Sequence, residues 1–113
     1  MRVLVCGGRD YQNRDAVFDA LNELARQHGW LTIIEGGAKG ADSLAREWAR
    51  LRYHGLVTVP ANWQLYGTSA GPIRNEEMLK SGEPDLVLAF PGGRGTADMI
   101  HRAEAAGVPV SRT

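Results

Sequence analysis

The sequence holds one cysteine, Cys6. A single thiol allows no disulfide within the chain and no cysteine-rich zinc site. Charge of one sign is not in excess: 13 Lys and Arg offset 13 Asp and Glu. Domains that hold nucleic acid through its phosphates are usually basic, so this balance argues against a nucleic-acid partner. No apolar run nears the ~20 residues needed to span a bilayer, and no membrane partner is expected. His28, His54 and His101 stand far apart in the chain. They show no metal-ligand spacing, so neither a metal nor a cofactor is expected. Also missing are G-x-G-x-x-G after the first apolar run and G-x-x-x-x-G-K-[ST] anywhere. Their absence removes the dinucleotide fingerprint and the P-loop. No Ser-His-Asp arrangement is evident.

What is present reads as one soluble globular domain over residues 1–113, with 43% hydrophobic and 23% charged residues. The start "MRVLVCGG" enters a strand pattern at once. It lacks a signal-peptide layout, so a cytoplasmic location is expected. "RVLVC" (2–6) is a short β-rich run stopped by Gly7 and Gly8. In "RDAVFDALNELARQHG", Val17, Leu21, Leu24 and Ala25 recur at helical spacing, with Asn13 or Asp15 as cap and Gly29 as stop. "WLTIIE" (30–35) is a second strand. "GADSLAREWARLRYHG" (40–55) is a second helix, with Leu44, Trp48 and Leu51 on one face and Gly55 as terminator. "LVTVP" (56–60) is a third strand that Pro60 ends. Residues 61–72 read as the longest irregular segment, and a helix is expected from about Ile73 to Lys80. "DLVLAF" (85–90) is the fourth strand, residues 95–107 the last helix, and "VPVSRT" a fifth strand at an edge.

Strand and helix alternate, and the strands are continuous apolar runs, as when both sheet faces are covered. The pattern predicts an α/β, Rossmann-like three-layer sandwich. Its five-stranded parallel sheet should have the order 3-2-1-4-5, with the switch point between the first and fourth strands.

Ligands in such sheets bind beyond the carboxyl ends of the strands at the switch point. The first strand ends in "CGGRD", the second in "EGGAKGAD" and the fourth in "FPGGRGT". The predicted order makes these strands neighbours, so the three glycine-rich turns should face one crevice. Glycine lets a ligand approach the backbone, and helix starts attract anions. The candidate ligand-binding set is Gly7, Gly8, Arg9 and Asp10; Glu35, Gly36, Gly37, Lys39 and Gly40; and Pro91, Gly92, Gly93, Arg94, Gly95 and Thr96. Arg74 adds charge nearby. Together they suit a phosphorylated, nucleotide-like small molecule. Tight strand-to-helix turns also need glycine for packing alone, and that reading stands beside the ligand one.

Single residues carry alternatives of their own. Glu35 reads equally as a partner for ribose hydroxyls or as a cap for backbone N–H groups. Asp42 and Asp98 fit the favoured place of an acid in a first helical turn. Cys6 reads as a core thiol and Trp48 as core. Trp63 and Tyr66 could stack on a base or pack on a second subunit, so a homodimer is open.

"MRVLVCGGRDY", "IIEGGAKGADSLAREWA", "GPIRNEEML" and "LVLAFPGGRGT" together resemble the small YspA-type, cpYpsA-related branch of the SLOG superfamily. That superfamily includes the Lonely Guy phosphoribohydrolases and DNA-processing relatives. The resemblance implies a Rossmann-like fold and a nucleotide-derived ligand. The phosphoribohydrolases carry P-G-G-x-G-T-x-E. Here Pro91, Gly92, Gly93, Gly95 and Thr96 match, and Asp98 falls at the acidic position. Arg74 matches their arginine on the preceding helix, while Asn75 replaces the lysine after it. Asp98 and Arg74 are thereby the catalytic candidates of an N-glycosidic hydrolase. The incomplete set favours a ligand-binding sensor or carrier domain over that enzyme, and a DNA-binding module comes last.

Overall fold

The computed structural model describes residues 1–113. Eleven elements follow one another, counting one 3₁₀ turn: β1 (Arg2–Cys6), α1 (Arg14–His28), β2 (Thr32–Glu35), α2 (Ala41–Leu51), β3 (Gly55–Thr58), α3 (Trp63–Tyr66), the 3₁₀ turn Gly67–Ser69, α4 (Ala70–Gly82), β4 (Leu86–Ala89), α5 (Arg94–Ala105) and β5 (Val110–Arg112). The sheet has the order β3-β2-β1-β4-β5 and every pair is parallel. Leu4 sits opposite Ile34 on one side and Val87 on the other. The expected fold class and strand order therefore stand.

Alternate side chains of each strand feed two cores. Val3, Val5, Ile33, Leu88 and Phe90 pack with Val17, Leu21, Ala45 and Trp48 of α1 and α2. Leu4, Cys6, Ile34, Val87 and Ala89 pack with Met78, Met99 and Ala103 of α4 and α5. Strands apolar on both faces are the direct consequence of this double cover. No helix is long and apolar enough to cross a membrane.

Local chemistry sets the helix ends. Asn13 caps α1 by accepting from the Ala16 N–H at 3.0 Å. Gly29 closes α1 at φ 78°, its N–H on the Ala25 carbonyl. Helix α2 stops at Leu51, earlier than the 40–55 reading. Tyr53 takes a left-handed turn at φ 57°, and the His54 ring stacks on Trp48 and accepts from the Leu31 N–H. Gly55 is no helix terminator. It opens β3, and a Cβ there would strike the Trp30 ring and Thr32. Leu51 also departs from expectation: it is 55% exposed, and the buried face is Ala41, Ala45, Trp48 and Ala49.

The segment read as irregular is largely helical. Asn62 caps α3, Gly67 breaks the chain direction at φ 54°, and α4 begins at Ala70 rather than Ile73. Pro72 falls in the first turn of α4, where a missing N–H costs nothing. Trp63, Leu65, Tyr66 and Ile73 stay exposed along this stretch. At the other edge, β5 is short, and the Thr113 N–H reaches the Ala89 carbonyl at 3.0 Å.

The placement of Trp48 and Leu51 gives a paired prediction. Trp48→Ala should cost ~3–5 kcal/mol, the usual loss for emptying a core aromatic site. Leu51→Ala should stay within ~0.5 kcal/mol. Urea unfolding measures both, and similar losses would contradict the helix register.

Candidate functional site

β1 is central, with β2 on one side and β4 on the other. Its carboxyl end therefore lies between the two other glycine-rich loops. The three loops are joined through Gly8. Its N–H donates to the Pro91 carbonyl at 2.8 Å, and its carbonyl accepts from Ala41 and Tyr11 at 3.2 Å each.

Between β1 and β4 opens a cleft of about 270 Å³. Gly7, Gly8, Arg9, Arg74, Gly93, Arg94, Gly95 and Thr96 line it, with Cys6, Asp42, Asn75 and Met78. Asp10, Gly36, Gly37 and Lys39 line a more open chamber of about 500 Å³, with Trp63. Arg9 and Arg74 border both spaces. Pro91 and Gly92 face a third hollow beyond β4, together with Arg112 and Thr113. Glu35, Gly40 and Asp98 line neither the cleft nor the chamber.

The glycines divide into two kinds. Gly7, Gly40 and Gly92 are demanded by packing: an added Cβ would strike Ala41, the Gly8 carbonyl and Thr96 respectively, whereas at Gly36 it would meet only the movable ends of Arg74 and Asp42. Gly40 also has φ +74°. Gly93 and Gly95 are different, because a Cβ on either would meet nothing within 4 Å. The second of these is the second residue of α5, in the first turn, where glycine costs less than in a helix interior. Turn packing does not explain it.

The start of α5 is also open electrically. It has no side-chain cap and no acid in its first turn. The N–H groups of Arg94, Gly95 and Thr96 have no acceptor, and Ala97 makes the first bond, to Gly93. At α2 the corresponding position is occupied: Ala41 donates to Gly8, and Asp42 brings a carboxylate into the first turn. An anion would therefore find α5 the better of the two helix starts.

Arg9, Lys39, Arg74 and Arg94 make no ion pair. The Arg9 guanidinium lies over the Trp63 ring, 5.4 Å from its centroid. Arg74 is aimed by two bonds: Nη1 donates to the Gly36 carbonyl at 2.7 Å and Nε to Asn75 Oδ1 at 3.0 Å.

Glu35 is fully buried and spent on the protein. Its carboxylate accepts from the Gly37 N–H at 2.8 Å and from the Thr58 hydroxyl, and Arg46 lies 3.5 Å away. Asp98 faces a groove between α4 and α5 beside Glu76 and Arg102. Asn75 and Arg102 each donate to its Oδ2 at 2.9 Å.

Two residues of the site lay outside the sequence-based set. Asn75 joins the pieces, bonding Arg74, Asp98 and the Gly95 carbonyl. Asp42 stands in the cleft wall, only 6% exposed. Its Oδ2 accepts from Gly36 at 3.0 Å and Ala38 at 3.3 Å. Burial pushes its carboxyl up to about 6, and Glu35 adds to the rise. The Ala38 and Gly36 N–H groups and Arg74 oppose it. The signal for Asp42 was its place one residue from Ala41 and three from Ala45, on the small-residue face that α2 buries. Burial, with the Asp42 charge, pushes the Cys6 thiol up to about 12, so it stays protonated in the cleft floor. No three His, Cys, Asp or Glu side chains gather to hold a metal.

These features define a Rossmann-like parallel α/β domain with its cleft at the switch point. A family model described as "YspA, cpYpsA-related SLOG family" matches residues 1–66. The chain belongs to that family. The Gene 61 protein of Mycobacterium phage D29 is 43% identical over 117 aligned positions, covering 96% of this chain and 93% of that protein. No solved structure matches the chain.

Two predictions follow from this geometry. Gly95→Ala should change stability by no more than ~0.5 kcal/mol, whereas Gly40→Ala should destabilise the protein strongly. Thermal melts showing the reverse order would undo the division of the glycines. The second concerns Asp42. Its folded carboxyl titrates above the usual unfolded value of 3.8, near 6, so the folded state binds the extra proton between those values. Stability from this group is then greatest below pH 4 and is lost as pH rises through 6. At ~1.36 kcal/mol per pH unit, the loss at pH 7 is on the order of 2–3 kcal/mol. Asp42→Asn should therefore raise stability at pH 7 and lose that advantage near pH 4, as read by urea unfolding at both values.

Proposed function

We propose that the cleft binds the phosphate of a nucleotide or nucleotide-derived small molecule, and that the chain acts as a sensor or carrier domain for it. The observation that carries this reading is the start of α5. There, unpartnered N–H groups lie beside open space at Gly93 and Gly95, facing arginines without carboxylate partners. Helix dipole, backbone donors and side-chain charge all favour an anion at that point. The adjoining chamber offers Trp63 and Arg9 as a flat surface for the remainder of the ligand. Family membership supports a nucleotide-related ligand.

The alternative is hydrolysis of an N-glycosidic bond, with Asp98 acting at the sugar. What supports binding over turnover is the surroundings of Asp98. Its Oδ2 is shared by Asn75 and Arg102, and its groove is separate from the glycine-lined cleft.

Mass spectrometry of small molecules released from the purified protein tests this function. A thermal-shift panel of nucleotides and nucleotide sugars complements it. A phosphorylated compound is expected in both. Arg74→Ala should weaken its binding about 10–100-fold, the worth of one charge-assisted contact. Asp98→Asn should leave affinity within about twofold, because this residue lies outside the cleft. If no phosphorylated compound is released and none raises the melting temperature, the proposed function falls. Free base released from a nucleoside monophosphate, and lost in Asp98→Asn, would instead establish the hydrolase.

A further inference from the structure

We propose that Asp42 reads a hydroxyl group on the sugar of the phosphorylated ligand, accepting its hydrogen on Oδ1 while the start of α5 holds the phosphate. This assignment rests on the anion-binding reading above and adds the sugar-recognition half of the site.

The argument begins with the two oxygens of Asp42. Oδ2 accepts from the Gly36 and Ala38 N–H groups. Oδ1 has no protein donor, although Asp42 is only 6% exposed. The one side-chain polar atom that is both sealed and unpartnered is Arg46 Nε. Oδ1 is therefore open to solvent, and the cleft wall is where Asp42 reaches it. The protein offers Oδ1 no donor of its own, so whatever occupies the cleft, water or ligand, must supply one.

The chemistry of that donor is narrowed by the neighbours. A phosphate oxygen is an acceptor and is repelled by a carboxylate. A sugar hydroxyl donates, is neutral, and lies a few bonds from the phosphate in any nucleotide. The cleft, about 270 Å³, holds both Asp42 and the α5 start. It sits just below the usual ~300–1,000 Å³ range of small-molecule pockets, which suits a sugar phosphate with its remaining part in the next chamber. Asp42 is the one acid that lines the cleft, and Asp10 belongs to the adjoining chamber. Glu35 is committed to Gly37 and Thr58, and Asp98 to Asn75 and Arg102.

A pH signature follows. The charged and titratable groups facing Asp42 are Glu35 of β2, Arg74 of α4 and the Cys6 thiol of β1. Cys6 stays neutral, pushed up to about 12, so it does not titrate in the same range. Below about pH 6 Asp42 takes up its proton. Oδ2 already serves two backbone donors, so the proton goes to Oδ1. The contact with the hydroxyl then loses its charge assistance, and with it roughly half its strength.

The test uses AMP and 2′,3′-dideoxy-AMP, which differ only in two ribose hydroxyls, with sulfate as an anion that does not titrate. Calorimetry at pH 8 on the wild-type protein should show AMP preferred by about 10–100-fold, the scale of one hydrogen bond to a charged group. In Asp42→Asn the amide oxygen keeps the Gly36 and Ala38 bonds and turns NH₂ toward the cleft. The preference should drop below about threefold while sulfate affinity holds or rises. The wild-type ratio should also shrink between pH 8 and pH 5, and the AMP phosphate titration cancels from that ratio. An undiminished preference in Asp42→Asn, a ratio flat from pH 8 to pH 5, or sulfate binding without any preference for AMP would each overturn the assignment. Failure to bind sulfate and AMP alike falls on the anion site and removes the proposed function instead. Should Asp42→Asn not fold, the wild-type pH series decides alone.

Discussion

The backbone of Gly8 ties the three strand-end loops into one body. Its N–H is bonded to the loop after β4, and its carbonyl to the start of α2. These bonds are available because β1 is central and its carboxyl end lies level with its neighbours. They also restrict the loops they join. Gly40 must take a positive φ and go without a side chain because the Gly8 carbonyl lies against it. Gly92 is held just as closely, with Gly8 N only 2.7 Å from where its Cβ would be. The cleft wall is therefore set by main-chain packing before any charged side chain contributes.

Against that rigid wall, the cleft leaves several groups uncommitted to the protein. Gly95 goes without a side chain although none would clash. The N–H groups at the α5 start have no acceptor within the protein, and one oxygen of Asp42 has no donor within it. Elsewhere the same kinds of group are satisfied: Asn13 caps α1, and Glu35 is surrounded by donors. Natural sequences depart from local consistency mainly where function requires it, and here the departures share one crevice.

Much of this was legible in the sequence. Strands buried on both faces show as unbroken apolar runs, and the helices between them force parallel crossovers, so the sheet order followed from β1 to β5. The same logic put the glycine-rich loops at the carboxyl ends of neighbouring strands, but not their division among a cleft, a chamber and a third hollow. What stayed hidden depends on contacts distant in the chain. Gly55 follows a helical pattern like a terminator, but the ring that excludes its side chain belongs to Trp30. Glu35 and Asp42 are both acids flanking one glycine loop. Thr58 of β3 and Arg46 of α2 engage the first, and neither relation has a local signature. Residues 61–72 read as irregular, whereas α4 starts at Ala70 with Pro72 in its first turn. Asp98 could be aligned with an acidic motif position, but its bonds to Asn75 and Arg102 come from the packing of α4 on α5.

Parallel pairing also sends the two chain ends to opposite edges of the sheet. Met1 leads into β1 at the amino edge, where its ammonium donates to the Trp30 carbonyl. Thr113 leaves β5 at the carboxyl edge, beside Pro91, Gly92 and Gly93. A fusion or affinity tag appended after Thr113 thus emerges next to the PGGRGT loop, and one placed before Met1 emerges from the far edge. Surface immobilisation through the amino end leaves the crevice facing solution, whereas attachment through the carboxyl end turns it toward the support.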